Sequence, residues 1–147
     1  MKRLLFLLVV VLVSSAGAGA AAFPRGQARI DTGPRTVTFE VELALTDAQR
    51  QQGLMLRRSL PPNAGMAFVW TRTTQGGFWM KNTLIPLSIA FYGADGTILR
   101  ILDMAPCRAE PCRIYDPGTS YRGALEVNRG AFRRLGVSVG DVIRIRR

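Results

Sequence analysis

From Thr36 the chain alternates apolar and polar positions: Val37, Phe39, Val41 and Leu43 fall on one side of an extended backbone, and Thr38, Glu40 and Glu42 on the other. A two-residue period of this kind predicts a strand buried on one face. GMAFVW, GFWMKN, LSIAFYG, TILRILDM, YRGALEV and the closing VIRIR are apolar, β-branched or aromatic runs of strand length, and they predict further strands. Asp95-Gly96 between two of these runs predicts a tight hairpin. Pro86 breaks NTLIP, because its ring cannot donate to a central ladder. Two stretches carry helical punctuation instead. Thr46 and Gln49 in TDAQRQQG have the spacing of a capping box with Gly53 as the stop, and NRGAFRRLG ends on Gly136. The pattern predicts one α+β domain over residues 36–147, a mostly antiparallel, curved sheet of five to seven strands with two short helices. Residues 23–35 are polar and broken by Pro24, Gly26, Gly33 and Pro34. They read as a flexible lead-in with a short strand near Ile30.

The first 22 residues follow another pattern. Lys2 and Arg3 precede an apolar run from Leu4 to Val13, and small residues with Ala-x-Ala spacing follow. That is the build of a secretory signal peptide cleaved after Ala20 or Ala22, the run being short for a bilayer span. An uncleaved N-terminal anchor is the alternative. Without Lys2 and Arg3, 18 of the 20 basic groups remain against 10 acidic ones. The arginines are scattered rather than banked into a stripe, so nucleic acid is not expected as a partner. Membrane contact is expected only through an uncleaved leader. Oligomeric state leaves no mark in the sequence. Cys107 and Cys112 agree with export, since an oxidising compartment pairs two cysteines so placed. A redox pair is the alternative, but CRAEPC lacks the C-x-x-C spacing of disulfide oxidoreductases. The surrounding loop, residues 105–120, is long enough to act as a flap.

The chain has no histidine. This removes the commonest general base and metal ligand, so neither a histidine-dependent triad nor a metal site is expected, and no cofactor motif is present. Glu126 and Asp103 are carboxylates set within the apolar runs ALEV and ILDM. If both faced one cavity they would form an acid/base pair; otherwise each faces solvent or an arginine. The run FWMKN holds Lys81, the one lysine after the leader. In a strand, Phe78, Met80 and Asn82 share one face, and Trp79 and Lys81 the other. Trp79 then floors a cleft, with Lys81, Asn82, Thr83 and Glu126 around it. The plainer alternative makes Trp79 core, Lys81 a side chain lying over it and Asn82 a turn cap.

GLMLRRSLPPNAGMAFVW, FWMKNTLIPLSIAFYGADGTI, the PCRAEPC loop with Tyr115, and ALEVNRGAFRRLGVSVGD occur in that order. Together they resemble the family catalogued as domain of unknown function 192, over Val37 to Arg147. The resemblance implies a small, single-domain prokaryotic protein, commonly exported or membrane-associated, and brings no settled activity. The family usually has aspartate after IPL, where Ser88 stands here, so a carboxylate-dependent role at that position is not implied. Three readings of function follow. First is a periplasmic or extracellular binding module for a small polar or anionic ligand, a saccharide among the candidates. Second is an envelope accessory protein acting through a protein or membrane-surface partner. Third is a hydrolase or lyase using Glu126 or Asp103 with Lys81.

Overall fold

The computed structural model describes residues 22–147. The expected leader, residues 1–22, lies outside them except for Ala22, whose carbonyl accepts a hydrogen bond from Gln49 Nε2 at 2.9 Å. Among the described residues the chain forms β1 (Arg25–Asp31), β2 (Thr36–Ala44), α1 (Asp47–Gln52), β3 (Ala64–Thr74), β4 (Phe78–Trp79) and β5 (Leu87–Tyr92). It continues through β6 (Ile98–Met104), β7 (Ile114–Tyr115), β8 (Tyr121–Asn128), α2 (Ala131–Arg134) and β9 (Val142–Arg146). Seven strands make one sheet in the order β6-β5-β8-β3-β2-β1-β9, and β4 with β7 makes a second, two-stranded sheet. The large sheet is antiparallel except for β2 and β3. A parallel neighbour needs a crossover, and α1 with the loop after it supplies one. Thr46 and Gln49 form the expected capping box at the start of α1. The fold is therefore the α+β domain that the periodicities predict.

Two expectations are corrected. The lead-in at residues 23–35 is largely β1, paired along its length with β2 on one side and β9 on the other. Ala28 and Ile30 are fully buried while Gln27, Arg29 and Asp31 face out. Its polar appearance is that of a single face, and Pro24, Gly33 and Pro34 lie outside its ends. The FWMKN strand also stops early. Only Phe78 and Trp79 are extended, and the backbone turns at Asn82, which takes a left-handed φ of 55°. Asparagine tolerates that region well, and the Asn82 carbonyl there accepts a bond from Leu56 N at 2.8 Å. Met80 is buried and Asn82 exposed, so the two do not share a face as a longer strand would require.

The large sheet curls until its two edges meet. Thr97, at the start of β6, bridges Val142 of β9. Ile98 N donates to Asp141 O and Ile143 N to Gly96 O, each at 2.8 Å. The hairpin must come very close to β9 to do this: a Cβ on Gly96 would lie 2.3 Å from Ile143 O, and its φ is +89°. The curl encloses a first core of Ala28, Ile30, Val37, Phe39, Leu43, Leu125, Val127 and Ile143, closed by Phe132 and Val137. Phe132, from α2, meets the edge of Phe39 with ring centres 6.0 Å apart. A second core lies on the opposite face of β3, β5 and β8, where Met66, Phe68, Leu87, Ile89, Phe91 and Ala124 pack under Leu54, Met80 and Tyr115.

Tyr92 belongs to the first core and fills the space above Gly123, its register partner on β8. A Cβ at position 123 would lie 2.2 Å from the Tyr92 hydroxyl, and that buried hydroxyl has no hydrogen-bond partner. Tyr92→Phe is therefore expected to raise stability by up to about 1 kcal/mol, because it removes a desolvated hydroxyl without breaking a bond. Gly123→Ala is expected to cost about 1–3 kcal/mol by overpacking. Urea denaturation measures both, and a Tyr92→Phe protein less stable than wild type would show that the hydroxyl is bonded after all.

Candidate functional site

The second core is not completely covered. Between α1, the end of β3, the β4–β7 sheet and the start of β8 a cleft of ≈ 380 Å³ opens onto it, lined by Phe68, Trp70, Phe78, Trp79, Tyr121, Leu54, Thr83 and Glu126 among others. Strand parity puts these side chains there. Met66, Phe68 and Trp70 alternate along β3 toward the second core, and Ala124 and Glu126 do the same along β8. The rings lock one another edge to face: Phe78 lies 4.9 Å from Phe68 and 5.6 Å from Phe91, and Tyr121 lies 4.9 Å from Phe91 and 5.6 Å from Trp70. Such offset contacts are worth about 0.5–1.5 kcal/mol each beyond area burial, which makes the walls stiff.

Glu126 stands at the base of this cleft, opposite Met66 on β3 and Ile89 on β5. It is 4% exposed. Among the described residues its carboxyl has neither a hydrogen bond nor an ion pair, and burial alone pushes it up to about 8. The basic residue among those lining the cleft, Arg50 on α1, is already committed. Its guanidinium donates to Leu45 O at 2.7 Å and Val69 O at 2.8 Å, pairs with Asp47, and lies 5.1 Å from the centre of the Trp70 ring.

The wall bearing Trp79 is held from outside by the stapled loop. Cys107 and Cys112 are disulfide-bonded. Cys107 N donates to Met80 O at 3.3 Å, and Phe78 and Trp79 pair with Tyr115 and Ile114. Lys81 completes the clasp, with Nζ 2.9 Å from Glu110 Oε1 in that loop and 5.5 Å from the centre of the Trp79 ring. The ammonium beside Glu110 holds that exposed carboxyl below its ordinary range.

The family model for DUF192, described as an uncharacterised ACR, matches residues 28–145. The chain belongs to the DUF192 family. Among solved structures, that of a candidate transcription regulator from Sinorhizobium meliloti 1021 is 39% identical, with a TM-score of 0.80 and coverage of 86% of this chain and 98% of its own. A protein of unknown function from Novosphingobium aromaticivorans is 30% identical, with a TM-score of 0.76 and coverage of 86% and 89%. No curated protein matches the chain.

In this DUF192 domain the residues singled out from sequence fall in three places. Trp79, Thr83 and Glu126 line one cleft. Lys81 and Asn82 do not line it: the first turns to the stapled loop, and the second is an exposed turn residue holding Leu56. Asp103 is elsewhere. Ser88 pairs with both Asp103 and Val127, and the next residue, Ile89, pairs with Glu126, so Asp103 and Glu126 project from opposite faces of the sheet. Asp103 accepts a hydrogen bond from Ser88 Oγ and sits 3.8 Å from Arg129 and 3.6 Å from Arg133. The Ser88 hydroxyl also accepts from Gly130 N at 2.8 Å. Ser88 thus ties β5 to β6 and to the start of α2. An acid/base pair of Glu126 with Asp103 is not formed, nor is Lys81 in contact with either, so the groups a hydrolase or lyase was expected to use are apart. Among the described residues no three histidine, cysteine, aspartate or glutamate side chains gather in a metal-binding group. Trp70, Phe78 and Tyr121 were not anticipated as wall residues. Extending the parity of GMAFVW to its last residue would have found Trp70. Phe78 reaches the cleft through the β4–β7 pairing and Tyr121 through a register shift between β3 and β8, neither of which has a local signature.

Glu126 gives a pH-dependent stability whose sign is fixed. In the unfolded chain its carboxyl ionises near its ordinary 4.5; in the folded protein it keeps the proton to about 8. Between those values the unfolded state has released a proton that the folded state retains, so rising pH favours unfolding by about 1.4 kcal/mol per pH unit from this group. Urea midpoints of the wild type should therefore fall from pH 5 to pH 8 relative to those of Glu126→Gln, which cannot ionise. Parallel midpoint profiles for the two proteins would mean that the carboxyl is solvated in the folded state.

Proposed function

We propose that this chain is an exported binding module whose aromatic cleft holds a small polar ligand against Glu126. The observation that carries the reading is a desolvated carboxyl, left without a partner by the protein's own donors, at the base of an open cleft with stiff aromatic walls. Burying such a group without a partner costs stability, and a ligand that bonds to it recovers that cost. Anionic ligands fit poorly, because the acid has no free cation beside it; hydroxyl- or nitrogen-bearing ligands fit. Export is supported by the leader-like N-terminus and by the disulfide. The described residues contain no helix long and apolar enough to cross a membrane.

A second reading, an envelope accessory protein, draws on one feature: Trp79 and Ile114, cross-strand neighbours on β4 and β7, are 49% and 56% exposed. Two adjoining large apolar side chains at a surface suit contact with another macromolecule.

A thermal-shift screen with saccharides, polyols, amines and carboxylic acids tests the first reading, using wild type, Glu126→Gln, Trp79→Ala and Asp103→Asn. At least one class is expected to raise the melting temperature of wild type and Asp103→Asn by several degrees while leaving the two cleft variants unmoved. If no class shifts wild type, or if all four proteins shift alike, the cleft is not a ligand site and the accessory reading takes its place.

A further inference from the structure

We propose that the cleft is selective for a small molecule carrying a protonated primary amine on an apolar stem, the ammonium reaching Glu126 and the stem lying between the aromatic walls. The proposal rests on the binding reading above and names its ligand class.

The argument is one of charge inventory. The chain has twice as many basic groups as acidic ones, yet no basic side chain pairs with Glu126 among the described residues. Besides Glu126, the charged and titratable groups lining the cleft are Asp47, Arg50 and Tyr121, and each has a partner, as does the neighbouring Arg122 on β8, whose Nε donates to Trp70 O at 2.8 Å. From α1, Arg50 and Asp47 pair with each other. From β8, the Tyr121 hydroxyl donates to Gly76 O at 3.0 Å. The neighbours of Glu126 on β3 and β5, Met66 and Ile89, carry no charge. Lys81 faces away toward Glu110. The cleft therefore presents one carboxyl without a partner and no free cation.

The walls point the same way. Two cleft rings, Trp70 and Trp79, already carry a cation on one side, Arg50 and Lys81 respectively, at 5.1 and 5.5 Å. Aromatic faces attract cations more strongly as water is excluded. A carboxylate ligand would bury its charge in a cleft with no free cation to pair with it. An alcohol or sugar can bond to the carboxyl but draws nothing from the charge. An alkylammonium puts its charge on the acid and its apolar stem along the rings.

Proton balance gives the proposal a signature of its own. The amine arrives already protonated. The carboxyl, which burial keeps largely neutral at pH 7, gives its proton to the buffer as the ammonium docks, leaving a carboxylate–ammonium pair. No other group changes charge.

The test is calorimetric titration of the intact protein at pH 7 with n-butylamine, n-butanol and butyrate, which share a stem and differ in head group, together with glucose as a stemless neutral ligand. Each titration is run in two buffers of different ionisation enthalpy. Butylamine is expected to bind at least about tenfold more tightly than butanol, with butyrate not binding, and to release close to one proton per ligand. Glu126→Gln should lose the proton release and about tenfold or more in affinity for butylamine. Trp79→Ala should weaken binding while keeping the proton release, which separates loss of a wall from loss of the acid and holds if the glutamine variant fails to fold. Tight binding of butanol or glucose without preference for the amine would overturn the amine inference and leave the binding reading standing. Binding of butylamine without proton release, or equally by Glu126→Gln, would overturn it too. Binding of none of the four would overturn both.

Discussion

From Gly123 to Val127 every residue of β8 is buried, because the strand runs between two apolar layers. Leu125 and Val127 point into the space enclosed by the curled sheet; Ala124 and Glu126 point into the layer roofed by α1 and the β4–β7 sheet. A strand with no wet face leaves an acidic residue no route to water through its own sheet, so the state of Glu126 is decided by the layer above it. That layer is incomplete where the cleft opens, and the rest of the site follows from this gap. The disulfide, the Lys81–Glu110 pair and the turn at Asn82 all fix the edge of the roof rather than its centre.

Much of the fold was legible because strand alternation and helix punctuation are local. The alternation of Thr36–Ala44, the capping box of Thr46 and Gln49, and the Asp95-Gly96 hairpin each depend on residues a few positions apart. β1 was harder to read, since its buried face consists only of Ala28 and Ile30 and its other face is crowded with polar side chains. Its place is set by partners far along the chain, which no local pattern announces. The same holds for β4: two residues paired with Ile114 and Tyr115 do not make a recognisable run, and the segment looks longer than it is because Met80 continues the apolar character into a turn.

The site was legible in part for a related reason. Glu126 stands out in sequence as a charge within an apolar strand, and Trp79 as an aromatic next to polar residues, so both could be named. Which groups meet was not legible. Whether Asp103 joins Glu126 depends on a one-residue offset in the register between β5, β6 and β8, and the structure puts the two carboxylates on opposite faces. Lys81 drew notice as an isolated ammonium, yet its partner, Glu110, lies in a loop that only the disulfide and the β4–β7 pairing bring near.

The pairing of β1 with β9 has a consequence for how the domain forms. The strand nearest the start of the described chain finds one of its two neighbours among the last residues, Val142–Arg146. Closure at Gly96 and Thr97 likewise uses Asp141, Val142 and Ile143. The sheet therefore cannot be completed until Val142–Arg146 are available to pair with β1. Until the last residues emerge, β1 keeps a bare edge and the enclosed core lacks a wall. Such long-range closure slows folding and leaves an adhesive intermediate. A chain of this topology gains from being held unfolded until it is whole, and its final five-residue strand acts as the latch that makes the domain one cooperative unit.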